Sequence, residues 1–104
     1  MAKYLLLYEV GGMPEGEAAQ KAVMDAWNAW FHQLGSAVTD AGNPFGPASN
    51  RIGPDGSIGP GAGAGSGYSI LEADSLAAAT DLAKGCPVLA GGASIGVYEI
   101  FDVM

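Results

Sequence analysis

The sequence has one cysteine, one histidine and four basic residues among 104, and it has no apolar run approaching membrane length. Each shortage excludes something. Cys86 alone cannot close an intrachain disulfide, and His32 alone beside it makes no Cys/His zinc set. No metal and no cofactor are therefore expected. Lys3, Lys21, Arg51 and Lys84 are scattered against eleven acids, for a net charge of −7. That balance speaks against nucleic acid and against an anionic membrane surface as partners. The apolar run near the N-terminus, Tyr4 to Tyr8, is far short of the roughly 20 residues a span needs. With no address visible, the expected compartment is the cytoplasm.

What is present is globular in kind. Apolar residues make up 49% of the chain and charged ones 14%, unlike a disordered segment. A chain of this length buries roughly 60–70% of its unfolded surface, enough for one domain over residues 1–104. Lys3 to Val10 reads as a strand. Tyr4, Leu6 and Tyr8 alternate with Leu5 and Leu7, so both of its faces are apolar, and a strand apolar on both faces is covered on both. Gly11 to Pro14 breaks it. Pro14, Glu15 and Glu17 suit a helix start, and Gly35 suits its end after Leu34. The stripe Ala19, Val23, Trp27, Trp30, Leu34 has helical spacing. Glu17 and Lys21 form a favourable i,i+4 pair.

Ser36 to Asp40 is a weaker strand, and Ala41 to Pro47 a turn-rich link. Ser49 to Gly53 reads as a short edge strand. Residues 53–67 hold seven glycines and two prolines, a density read as a long mobile hairpin loop with no packed element. Gly67 to Ala73 is a strand. Asp74 or Ser75 caps a second helix that ends at Lys84–Gly85, with Leu76, Ala79, Leu82 and Ala83 as its apolar face. Ala93 to Val103 is the last strand. The order predicts an α+β domain of ferredoxin-like βαββαβ type, an antiparallel sheet with two helices on one face. The helix-free face, bearing Leu5 and Leu7, then calls for a second copy of the chain, a homodimer joined sheet to sheet.

The candidate functional residues are aromatic or acidic. Tyr8, Trp27, Trp30, Asn43 and Tyr68 are expected to line a pocket between the sheet and the first helix, at the junction of that helix, the Asn43-Pro44-Phe45 link and the Gly-rich loop. Such a pocket suits a small organic molecule of little charge. Arg51, the sole arginine, is a candidate for holding a carboxylate. Asp25, Asp55, Glu72 and Glu99 are the acid/base candidates. Glu72 and Glu99 each continue an apolar strand alternation (Tyr68, Ile70, Glu72; Ile95, Val97, Glu99, Phe101), where burial would raise a carboxylate pKa. His32 lies opposite the apolar stripe of its helix, as a solvated histidine does. Cys86 follows a helix C-terminus, which disfavours a thiolate, and reads as a buried structural cysteine. The Gly-rich loop leads into a strand, not a helix N-terminus, and is no phosphate cradle.

Several segments along the whole chain resemble the YCII-related family, in its branch with an Asp-Gly-Pro-Phe signature. They are Lys3-Tyr4-Leu5-Leu6, the Trp27/Trp30 helix, Gly35 followed by Ala41-Gly42, Asp55-Gly56 at the head of the signature, Gly67-Tyr68-Ser69-Ile70, Lys84-Gly85-Cys86-Pro87, and Gly91-Gly92 leading to Ser94-Ile95. The resemblance implies a dimeric α+β barrel. Some YCII-like members resemble enzymes with a His–Asp dyad, whose histidine would fall near Asp25 in this chain and not at His32. Ser57-Ile58 stands where the signature has Pro-Phe, a Gly/Ala/Pro stretch follows it, and Gly96-Val97-Tyr98 replaces the Glu-x-Arg of the last strand. The functional expectation is a small-molecule-binding domain without a catalytic set. The alternative is a lyase, isomerase or hydrolase using carboxylate acid/base chemistry in an aromatic pocket.

Overall fold

The computed structural model describes residues 1–9, 15–46, 48–61 and 65–101. The Gly11 to Pro14 break, Pro47, positions 62–64 of the Gly-rich stretch and the Val103 end of the last strand lie outside them. The elements are β1 (Ala2–Glu9), α1 (Glu17–Leu34), β2 (Val38–Asp40), β3 (Asn50–Ile52), β4 (Ile58–Pro60), β5 (Gly65–Ala73), α2 (Leu76–Ala83) and β6 (Ser94–Ile100). Four strands form one antiparallel sheet in the order β2-β5-β1-β6, and β3 pairs with β4 in a separate two-stranded sheet. The chain is thus α+β, with two helices and a four-stranded antiparallel sheet.

β1 lies at the centre, and its alternation sets the layers. Tyr4, Leu6 and Tyr8 are buried, together with Ser69, Leu71 and Ala73 of β5. Trp30, Ala79, Ala83 and Cys86 close over them from the helix side, with Trp27, Phe31, Leu34, Leu82, Ile95 and Val97 around the margin. Leu6 and Leu71 are fully buried, a state worth about 1.5–3 kcal/mol for each side chain. The first helix ends at Gly35 as expected, with Trp30 buried and Val23, Trp27 and Leu34 half-buried, whereas Ala19 of the expected stripe is exposed. Lys21 pairs with Asp25 at 2.7 Å instead of with Glu17. Ser75 caps α2 by accepting a hydrogen bond from the Ala78 backbone N–H at 3.1 Å. Leu76, the first residue of α2 and expected on its apolar face, is exposed.

The other face of the sheet carries no helix. The strand register places Ile70, Leu5 and Tyr98 in one row across it and Tyr68, Leu7 and Gly96 in the next. Glu72, Lys3 and Ile100 make the row beyond Leu5, and Gly65, Glu9 and Ser94 the row beyond Leu7. A Cβ on Gly96 would stand 2.8 Å from Cε2 of Tyr98, so this glycine lets the Tyr98 ring lie down along the sheet.

The Gly-rich stretch departs from its reading as a structureless loop. Ile58–Pro60 is a strand paired with Asn50–Ile52. The turn between them is closed by Gly53 N–H to the Ser57 carbonyl (2.8 Å) and by Asp55 Oδ1, which accepts from both the backbone N–H and the hydroxyl of Ser57. The Pro54-Asp55-Gly56 sequence is a turn with a mechanism, a proline, a side-chain cap and a glycine at φ +87°. Composition alone hid it. The β3–β4 pair forms an arm, and the molecule measures 44 × 39 × 18 Å with a radius of gyration of 15.2 Å, against about 13 Å for a compact domain of this length.

Between β2 and the arm the chain turns at Gly42. Its φ is +75°, and a Cβ there would fall on the backbone carbonyl of Tyr68. Gly42→Ala is expected to cost about 2–4 kcal/mol, read as a lower midpoint in urea at unchanged slope.

Candidate functional site

Two places bring the predicted residues together, and they lie on opposite faces of the sheet. On the helix side, Tyr8 packs edge-on to Trp27 (ring centroids 5.1 Å), and Trp27 edge-on to Trp30 (5.8 Å). Phe31 completes the cluster. The Trp30 indole N–H points to the Leu82 carbonyl at 3.4 Å. These rings fill the space between α1 and the sheet, and the polar tips of Tyr8 and Trp30 are engaged inside the protein.

Beneath them runs a chain of buried hydroxyls. Tyr8 Oη donates to Ser69 Oγ at 2.6 Å, and Ser69 Oγ donates to the Ala41 carbonyl at 2.7 Å. Ser69 is fully buried, and a hydroxyl there is tolerated because both of its neighbours are hydrogen-bonded to it. Burial lifts the Tyr8 phenol well above its ordinary value. Burial also pushes the Cys86 thiol up to about 11, partly offset by the Val88 backbone and the Tyr8 hydroxyl. Neither group is poised to exchange a proton near neutral pH.

Tyr68 lies on the other face. Its ring stacks on Phe45 at 6.1 Å, and its hydroxyl reaches Asp40 at 3.1 Å. The Asp40 carboxylate raises the Tyr68 phenol pKa, by accepting its hydrogen bond and by its charge. The expected set therefore divides, Tyr8, Trp27 and Trp30 on one side and Tyr68 on the other, because consecutive strand positions point oppositely. Asn43 is exposed, and its backbone carbonyl accepts from the Tyr68 N–H at 3.3 Å.

On this helix-free side the arm and the sheet enclose an open cleft of about 810 Å³. Leu7, Glu9 and Gly65 form its sheet wall, Phe45 and its neighbours the floor, and Asn50, Arg51 and Gly61 the arm wall. Arg51 has no ion-pair partner among the described residues. Phe45 belongs to the Asn43-Pro44-Phe45 link expected at the site, whereas Glu9 was not among the sequence candidates. Glu9 ends an apolar alternation, and Phe45 sits next to Pro44 in a link, so nothing in their local pattern announces a shared concavity.

The four acid/base candidates do not converge. Asp25 is exposed on α1 and bound to Lys21. Asp55 is at the tip of the arm, its pKa lowered by the Ser57 hydroxyl and backbone. Glu72 is on the helix-free face, beside Lys3 in register. Glu99 follows Val97 on the helix-side alternation, next to Tyr4, whose phenol is raised by burial and by the Glu99 charge. His32 is exposed. Among the described residues no three His, Cys, Asp or Glu side chains are grouped as metal ligands, and no helix is long and apolar enough to cross a membrane. No family model matches the chain, and no curated protein matches its sequence.

Cys86 gives the site a pH signature. Its pKa is raised in the folded protein above the ordinary thiol value. It therefore adds stability that is complete below about pH 8.5, the unfolded value, and is lost as pH rises toward 11. Between those limits the wild type is expected to lose on the order of 2 kcal/mol through this group. Denaturant titrations across that range should show a correspondingly flatter profile for Cys86→Ala.

Proposed function

We propose that the chain is a homodimeric small-molecule-binding domain of ferredoxin-like topology and YCII-related type, without a catalytic set. The observation that carries this reading is the apolar helix-free face with the open cleft at its margin. The strand order β2-β5-β1-β6 supports the topology, because the four main-sheet strands, counted in chain order, lie as 2-3-1-4 with all neighbours antiparallel. The accessible surface supports the dimer. It is 7110 Å², against about 5,400 Å² for a compact monomer of this mass. The excess is larger than the roughly 800 Å² each partner commits to a standard interface. The helix-free face, with Leu5, Leu7 and Ile70 half-buried and Tyr98 exposed, is where a second sheet packs at about 10 Å in this reading.

The cleft is the ligand position in this reading. It offers the apolar Leu7 side chain and the Phe45 ring, one guanidinium from Arg51 and one carboxylate from Glu9. A small organic molecule with an apolar body and a polar end fits that inventory. The enzyme alternative needs two titratable groups within reach of one reacting atom. The dispersal of Asp25, Asp55, Glu72 and Glu99 favours binding over catalysis.

Light scattering at micromolar concentration is expected to give a dimer for the wild type and a monomer for Leu5→Asp. A monomeric wild type would contradict the assembly. In an NMR fragment screen, binders should move the Phe45 ring and Arg51 side-chain signals and leave both indoles in place. Fragments that shift the Trp27 and Trp30 indoles instead would relocate the site to the helix side.

A further inference from the structure

The chain has four basic residues. Lys21 is bound to Asp25 and Lys84 to Asp81, and Lys3 lies beside Glu72 in register. Of the four, only Arg51 lines the cleft, and the sheet wall facing it carries an acid, Glu9. Neither side chain has an ion-pair or hydrogen-bond partner among the described residues. Glu9 is flanked by Gly65 on β5 and Ser94 on β6, and Arg51 is opposite Gly59 across the arm. No counter-charge stands directly beside either, so one cleft presents a free guanidinium and a free carboxylate, each with its full hydrogen-bonding capacity for a guest.

The apolar part of the same cleft is held in place. A Cβ on Gly65 would stand 3.0 Å from Cδ1 of Leu7 and 3.1 Å from Cε2 of Phe45, so the leucine methyl and the phenylalanine ring close over bare backbone. Phe45 is 49% exposed, yet its N–H donates to the Ser66 carbonyl at 2.9 Å and its ring stacks on Tyr68. A ring fixed in this way loses little freedom when a guest covers it.

The two charges discriminate among guests. A guest with only a carboxylate would meet Arg51, but it would bring its charge up to Glu9 and to a chain of net charge −7. A guest with only an ammonium would meet Glu9 and face Arg51. A guest with both is neutral overall and matches each wall.

Resting on the cleft reading above, we propose that the ligand is an amino acid with an apolar side chain. Its carboxylate binds the Arg51 guanidinium, its ammonium binds the Glu9 carboxylate, and its side chain lies on Phe45 and Leu7.

The test follows the Phe45 ring and Arg51 side-chain signals of the full chain in NMR titrations with three probes of similar body. They are L-phenylalanine, 3-phenylpropionate, which lacks the ammonium, and 2-phenylethylamine, which lacks the carboxylate. L-Phenylalanine is expected to bind at least about threefold more tightly than either. Glu9→Gln is expected to remove its advantage over 3-phenylpropionate and keep its advantage over 2-phenylethylamine, and Arg51→Gln to do the reverse. A general loss of structure would remove both advantages together, and the wild-type comparison needs no variant. An advantage below about threefold over either probe would overturn the proposal and leave the cleft standing. So would three charged probes that leave Phe45 and Arg51 unmoved while uncharged fragments still shift them. If no fragment of any charge moves these signals, the cleft reading and the proposal fall together.

Discussion

Everything in this protein hangs on the placement of β1 between β5 and β6 with apolar side chains on both of its faces. One face is satisfied by the chain itself, through α1, α2 and the aromatic cluster. The other carries no helix, and among the described residues only the Phe45 link and the arm lie over it, at one end. A slab 18 Å thick is one sheet and one helical layer, and its second surface has the residue types of an interior, with Leu5, Leu7, Ile70 and Tyr98 at its centre. The hydrophobic effect does not distinguish the source of the covering surface.

The helix side shows how a polar group can be built into such a core without loss. Tyr8 and Ser69 bring two hydroxyls under the helices, and the Ala41 carbonyl ends their chain. No buried side-chain polar atom among the described residues lacks a hydrogen-bond partner. This chain ties the central strand, β5 and the link after β2 to one another, and fixes which way the link leaves the sheet. That departure decides where Phe45 lies, and so where the cleft is.

Much of the fold was legible from sequence because it rests on periodicity. The alternation in Lys3–Val10 and the stripe through Trp27 and Trp30 are strong, local signals, and the capping serine of α2 and Gly35 after α1 mark ends with residues suited to them. The arm was not legible, since its strands are three residues long and their pairing is carried by a turn hidden in Gly/Pro composition. The candidate site was legible only in pieces. Tyr8, Trp27 and Trp30 do assemble, but as packing. Tyr68 falls away from them because strand parity, read one strand at a time, does not say which face of β5 matches which face of β1. Glu9, Phe45 and Arg51 meet through a link and an arm, and contact between such segments is set by tertiary path and not by spacing.

The two edges of the main sheet are unequal. Along one side β2 is three residues long and its register with β5 slips between Val38 and Asp40, after which the link runs beside β5 as far as the bridge of Pro44 with Gly67. A short strand, an irregularity and a proline together make a poor template for another chain. Along the opposite side β6 offers seven regular residues and a single neighbour. Backbone groups on its outer side alternate with those bonded to β1, so this is the edge on which a foreign strand would grow. The protein's resistance to ordered aggregation is therefore decided along Ser94–Ile100, and a proline at a position whose backbone N–H points outward there would protect it without breaking a hydrogen bond to β1.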